Sequence, residues 1–144
     1  ITFIHVTHSQ EEALALATIG VVMNEGRIEQ FANPIELFNK PTNVFVADFV
    51  GGHNIMKLGE STYSLRADKL KLIGTPNKLK NKDTSFKIKD IEFLGSSISV
   101  TIVGSDDLTL RARLLDQEFH KHKLEIEQAV HCEWDENDLH ELRN

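Results

Sequence analysis

The spacing of apolar and polar positions changes once along this chain, at Gly51-Gly52. Ahead of that pair, strand-like and helix-like patterns take turns. Thr2, Phe3, Ile4, His5 and Val6 alternate and predict a strand. Ser9-Gln10-Glu11-Glu12 has the form of a capping box, with Ser at the N-cap and Glu three residues on, and residues 13–17 continue it with strong helix formers. Residues 20–23 predict a short strand, Asn24-Glu25-Gly26 a turn with Gly26 at positive φ, and Arg27-Ile28-Glu29-Gln30 the returning strand of a hairpin. Asn33-Pro34 opens a second helix: Asn suits the N-cap, and Pro suits the first helical position, where a missing N–H does no harm. Pro41 ends it. Thr42 is the predicted cap of a third helix carrying Val44, Phe45, Val46, Phe49 and Val50, and Gly51-Gly52 is its stop.

Beyond Gly52 the period becomes two. Strands are predicted at 63–66, 69–73, 86–94, 98–103, 108–114 and 129–134. Thr75-Pro76-Asn77, Gly95-Ser96-Ser97 and Gly104-Ser105-Asp106-Asp107 supply turns between them. Short strands separated by turn signals suit a small barrel or sandwich. The expected fold is therefore an α+β segment over 1–52, followed by a mainly β domain over 53–144.

Charge follows the same zoning. Residues 1–52 carry a net −4, residues 53–89 a net +6 and residues 90–144 a net −8, within a total of −6 over 144 residues. The composition, 40% hydrophobic and 26% charged, is that of an ordinary globular protein and excludes collagen-like, coiled-coil and wholly disordered classes. No apolar run approaches the roughly 20 residues of a membrane-spanning helix. One cysteine, Cys132, rules out an intrachain disulfide framework and fits a reducing compartment. A β-branched and aromatic run beginning at Ile1 reads as a buried strand cut open, so a fragment of a longer protein is expected.

Candidate chemistry is sparse. No Gly-x-x-x-x-Gly-Lys-Ser/Thr loop occurs among the eight glycines, and no Asp-Glu pair follows an apolar strand. His5 with His8, or His120-Lys121-His122, could be read as metal ligands, but no cysteine cluster or carboxylate-rich companion has structural-zinc spacing, and no metal site is expected. Cys132, beside Trp134 in a predicted strand, reads as a small core residue and not a nucleophile. The lysines between 69 and 89 could suggest single-stranded nucleic acid, yet Phe86 is the only aromatic platform there and the chain is net acidic, so a solvated basic face is the plainer reading. Phe119, Leu124 and Ile126 are expected to pack on the barrel.

The stretch Val6-Thr7-His8-Ser9-Gln10-Glu11-Glu12-Ala13 resembles the switch-histidine region of ABC-transporter ATPases. More of that pattern follows in order: Val21-Val22-Met23-Asn24-Glu25-Gly26-Arg27-Ile28-Glu29-Gln30, then Asn33-Pro34-Ile35-Glu36-Leu37-Phe38 with Lys40-Pro41, then Asn43-Val44-Phe45-Val46-Ala47-Asp48-Phe49-Val50-Gly51. The subfamily it resembles is the importer ATPases of the polyamine, maltose-type sugar and ferric-iron class, with a carboxy-terminal regulatory extension. Ser64-Leu65-Arg66-Ala67-Asp68, Ile91-Glu92-Phe93-Leu94-Gly95-Ser96, Val130 to Trp134 and Asp138-Leu139 resemble that extension, an OB-like TOBE domain. Thr18-Ile19-Gly20 stands where Asp-Arg-Ile is usual, Ala67 where Pro is, and Glu127-Gln128 where Gly-Asp is.

The resemblance implies that residues 1–52 end a nucleotide-binding domain and that 53–144 form the TOBE-type regulatory barrel. It makes His8 the switch histidine, acting on the γ-phosphate only in a complete protein that also holds ATP and Mg²⁺. On the residue alone, a structural or solvated histidine is the plainer reading, and it is the flanking motif that favours the switch role. Implied partners are a second copy of the subunit, transmembrane permease subunits and, indirectly, a substrate-binding protein, with no nucleic acid, at the cytoplasmic face of the membrane. The stretch around Gly51-Gly52-His53-Asn54 resembles polyamine or ferric-iron subunits more than sugar importers, which points to spermidine/putrescine uptake. The alternatives are an autonomous OB-like module binding a small oxyanion such as molybdate, or one binding single-stranded nucleic acid.

Overall fold

The structure, a computed structural model, describes residues 1–74, 86–104 and 107–143. The turn expected at Thr75-Pro76-Asn77, together with Lys78, Lys80 and Lys82, lies outside the described residues, as do Ser105 and Asp106 of the later turn. In chain order the elements are α1 (Gln10–Leu16), β1 (Gly20–Asn24), β2 (Arg27–Ala32), α2 (Pro34–Asn39), α3 (Val44–Val50), β3 (His53–Leu58), β4 (Ser61–Arg66), β5 (Lys71–Gly74), β6 (Phe86–Phe93), β7 (Ser97–Val103), β8 (Thr109–Leu115), α4 (Asp116–His122), β9 (Ala129–Glu133) and β10 (Leu139–Leu142). The described residues are thus mainly β with a few short helices. They divide into two compact units, one of residues 1–64 joined by the returning chain from His140, the other Leu65–Leu139.

In the first unit the helices begin where local chemistry sets them. The Ser9 hydroxyl accepts from the Glu12 amide at 3.4 Å, and the Asn33 side chain accepts from the Glu36 amide at 3.0 Å with Pro34 at the first helical position. The β1–β2 loop places Glu25 at φ 46° and Gly26 at φ 77°, the pair of left-handed residues that a two-residue hairpin needs. One hairpin face buries Val22 and Ala32 against Leu37 and Val46, with Leu14, Phe45 and Val50 around them. Gly20 leaves room for this packing, since a Cβ there would collide with the Leu37 Cδ1. The other face sets Val21 opposite Phe31 and Met23 opposite Ile28, and all four are exposed.

Two expectations are corrected here. Residues 1–7 form no strand, and Val6 is 91% exposed. A strand is completed by a neighbour, and among the described residues none runs alongside, so the alternating pattern has no ladder to join. Helix α3 is capped not by Thr42 but by Asn43, whose Oδ1 accepts from the Val46 amide at 3.0 Å. Gly51, at φ 72°, stops the helix as expected. Strands β3, β4 and β10 form a three-stranded sheet in the order β10-β4-β3; β3, β10 and α4 were not anticipated.

The second unit is a five-stranded antiparallel sheet in the order β5-β9-β6-β7-β8, and the turn at Ala67–Lys69 lies against β8. Cross-strand register builds its core in rows: Ile88–Ile102–Leu110, then Val100–Ala112, then Ile98–Leu114. The opposite face carries Glu92, Ser99 and Arg113 in one row, so β8 alternates buried and exposed without a break. Leu124 joins the core, whereas Ile126 is 57% exposed, which corrects the expectation that it packs there. At the end of β4, Arg66 grips Asp68 with two bonds, Nε to Oδ1 at 2.9 Å and a terminal nitrogen to Oδ2 at 2.5 Å. This hydrogen bonding holds the Asp68 carboxyl below its usual range and raises the Arg66 guanidinium. Glu127, where the family pattern has Gly, keeps the left-handed turn at φ 67°, a conformation that costs a residue with a side chain about 1–2 kcal/mol.

Ile102 lies at the centre of these rows with no exposed surface. Ile102→Ala is expected to lower the stability of the second unit by about 2–5 kcal/mol, read as a fall in the midpoint of its denaturant unfolding. A midpoint within error of the wild type would show that the rows are not its core.

Candidate functional site

His8 sits on a bend one residue ahead of the N-cap of α1. The backbone around it is tied down by its neighbours: the Ser9 amide donates to the Thr7 hydroxyl at 3.0 Å, and that hydroxyl donates to Glu12 Oε2 at 3.2 Å. The His8 side chain itself is exposed and makes no hydrogen bond among the described residues. The arrangement is a fixed backbone that carries an uncommitted imidazole. Chemically, such a ring can donate one N–H to an anionic oxygen brought to it.

The remaining candidates separate. His5 is also exposed and stands apart from any ligand set. His120 pairs with Asp116 one turn back on α4, Nε2 to Oδ1 at 3.3 Å, and its ring meets Phe119 edge-on. Among the described residues no group of three or more His, Cys, Asp or Glu side chains is placed to hold a metal ion. Phe86 is buried in the core of the second unit, so its ring offers no face to a base. Of the lysines between 69 and 89, Lys69 lies 3.5 Å from Asp138, and Lys71, Lys87 and Lys89 are exposed. Cys132 is buried in β9, and that burial pushes its thiol up to about 11.

A second constellation went unread in the sequence. Pro41 parts α2 from α3, and the six residues from Phe38 to Asn43 form an elbow whose polar groups are met by side chains and strands from elsewhere in the first unit. His53 Nε2 donates to the Phe38 carbonyl at 2.8 Å, and its ring packs against the Phe38 ring. Gln30 spans the bend, donating to the Lys40 carbonyl at 3.0 Å and accepting from the Thr42 amide at 2.8 Å. His140 Nε2 donates to the Pro41 carbonyl at 2.9 Å, and the Arg143 amide to the Thr42 carbonyl at 2.8 Å. Asn43 Nδ2 donates to Glu29 Oε2 at 2.8 Å. The one signal that could have found it is Pro41 itself, because a proline between two helices leaves carbonyls that need outside donors.

A thiol at about 11 is ionised to only about one part in a thousand at pH 8. Disulfide-exchange reagents should therefore label Cys132 at least about a hundredfold more slowly in the native chain than in denaturant. Equal rates would mean that β9 does not hold it buried.

No protein-family model matches the chain. Curated relatives do. It is 44% identical over 96 residues to the spermidine/putrescine import ATP-binding protein PotA of Bacillus thuringiensis subsp. konkukian, an alignment covering 67% of this chain and 29% of that protein. It is 61% identical over 56 residues to the protein of the same name from Desulfitobacterium hafniense, covering 39% of this chain and 16% of the relative, and 59% identical over 56 residues to that from Bacteroides fragilis. The chain thus spans less than a third of the length of these relatives. Its homologues are spermidine/putrescine import ATP-binding proteins, and it corresponds to one part of them.

Proposed function

We propose that this chain is the carboxy-terminal part of the ATP-hydrolysing subunit of an ABC import system for spermidine and putrescine. The observation that carries the reading is the 44% identity over 96 residues to import ATP-binding proteins of that name. In this reading residues 1–52 complete a nucleotide-binding domain, and 53–144 form a TOBE-type, OB-like regulatory barrel. The complete subunit binds ATP and Mg²⁺ and works as a homodimer on transmembrane permease subunits served by a substrate-binding protein. It does so at the cytoplasmic face of the membrane; among the described residues no helix is long and apolar enough to cross one.

His8 takes the role of γ-phosphate sensor in the complete subunit. Its exposed ring on a backbone fixed by Thr7, Ser9 and Glu12 supports that role, because the contact must be made to a nucleotide held by groups absent from these 144 residues. The exposed hairpin face of Val21, Met23, Ile28 and Phe31 supports the same reading, as a surface that the rest of the nucleotide-binding domain would cover.

In the full-length subunit, His8→Ala is expected to cut ATP turnover by about 10²–10³, the effect of one lost transition-state contact, with little change in nucleotide affinity. The 144-residue chain by itself should show no turnover above background. Undiminished turnover in the His8→Ala subunit would remove the assigned role, and import of neither spermidine nor putrescine by the intact system would remove the substrate.

A further inference from the structure

Residues Leu65–Leu139 run in sequence from the last residues of β4 to the first residue of β10, and the rest of β10 belongs to the first unit. There it does more than add a strand to β4. Its His140 ring reaches the Pro41 carbonyl at 2.9 Å, and just past its end the Arg143 amide reaches the Thr42 carbonyl at 2.8 Å, with Asn43 and Arg143 paired as a parallel bridge. Both acceptors lie in the elbow between α2 and α3. Neither carbonyl is met within a helix, because both residues precede Asn43, the N-cap whose own carbonyl is the first to accept within α3. Glu141, between His140 and Arg143, is tied to Ser61 of β4, Oγ to Oε1 at 2.5 Å, so the strand is held on both sides.

We propose that β10 is a latch on the α2–α3 elbow, through which a change in residues 65–139 acts on helices α2 and α3. The latch has two contacts of different kind. His140 gives a side-chain donor, and Arg143 gives a backbone donor that is in register only while β10 stays paired with β4. Pulling β10 out of register would release both at once. The elbow carbonyls would then lack donors, which loosens the α3 cap at Asn43 and the bend that Gln30 spans. Helix α2 packs on α1, the helix that follows His8, so the elbow is one helix away from that residue. Any bearing on ATP turnover rests on the function proposed above; the latch itself does not.

Hydrogen exchange on the 144-residue chain tests the latch without reference to turnover. The amides to follow are Thr42, Ala47 and Arg143, with Val100 and Ile102 of the second unit as references. In His140→Ala the first three should exchange about tenfold faster, the references should keep their rates, and His140→Gln, which keeps an N–H donor, should recover much of the protection. Wild-type rates at Thr42 and Ala47 in His140→Ala would overturn the proposal. The wild-type chain supplies a second measurement that needs no variant. In low denaturant the three amides should share one opening transition, and separate openings for Arg143 and for Thr42 with Ala47 would equally overturn it.

Discussion

Pro41 imposes the constraint from which the first unit is organised. A proline cannot continue the helix before it, so α2 ends at Asn39 and α3 must start afresh at Val44, five residues later. The bent backbone between them carries carbonyls, at Phe38, Lys40, Pro41 and Thr42, that are met from outside the two helices, in a part of the chain where Pro41 is itself buried. An unmet buried carbonyl costs about 1–3 kcal/mol, comparable with a good fraction of a small domain's net stability. The structure meets that demand with donors from elsewhere in the unit: Gln30 on β2, His53 on β3, and His140 on β10 with the Arg143 amide just past it. Residues far apart in sequence are brought to one bend because the bend has acceptors to fill.

The second unit is held by a different logic. Its rows of Ile88–Ile102–Leu110 and their neighbours are apolar contacts set by register, and each strand contributes every second residue. A slip of one residue on β8 would turn Leu110, Ala112 and Leu114 outward and Arg111 and Arg113 inward, so the pattern permits one alignment. Polar satisfaction matters here mainly at the borders, as in the Arg66–Asp68 pair and the Glu127 turn.

This contrast explains what could be read from the sequence. Period-two alternation is local, so β6, β7, β8 and β9 were placed within a residue or two of their observed ends. Caps are local as well, and Ser9 and Asn33 behave as their residue types require. Thr42 was a poor choice of cap for a non-local reason: its amide and carbonyl are engaged by Gln30 and Arg143, and Asn43 can cap with one atom while holding Glu29 with another. Strand β10 was missed because Leu139-His140-Glu141-Leu142 is short and half polar, and its reason to be extended lies at Ser61 and Pro41. The segment ending at Val6 failed in the opposite direction, since its strand-like pattern depends on neighbours that are not among the described residues. For the candidate site, only the order of motifs around His8 singles it out, because a single exposed histidine has no pattern of its own.

The cap of α1 has a consequence for how His8 can respond. Thr7, Ser9 and Glu12 have already removed the backbone freedom on either side of the ring. When an anionic oxygen meets the imidazole, only the side-chain torsions remain to be ordered, a cost of about 0.5–1.5 kcal/mol, and not the larger cost of organising a loop. A contact with so small an ordering penalty can be made and broken in step with its partner. In the role proposed for His8, such a contact reports the arrival and departure of a charge without storing much free energy in either state.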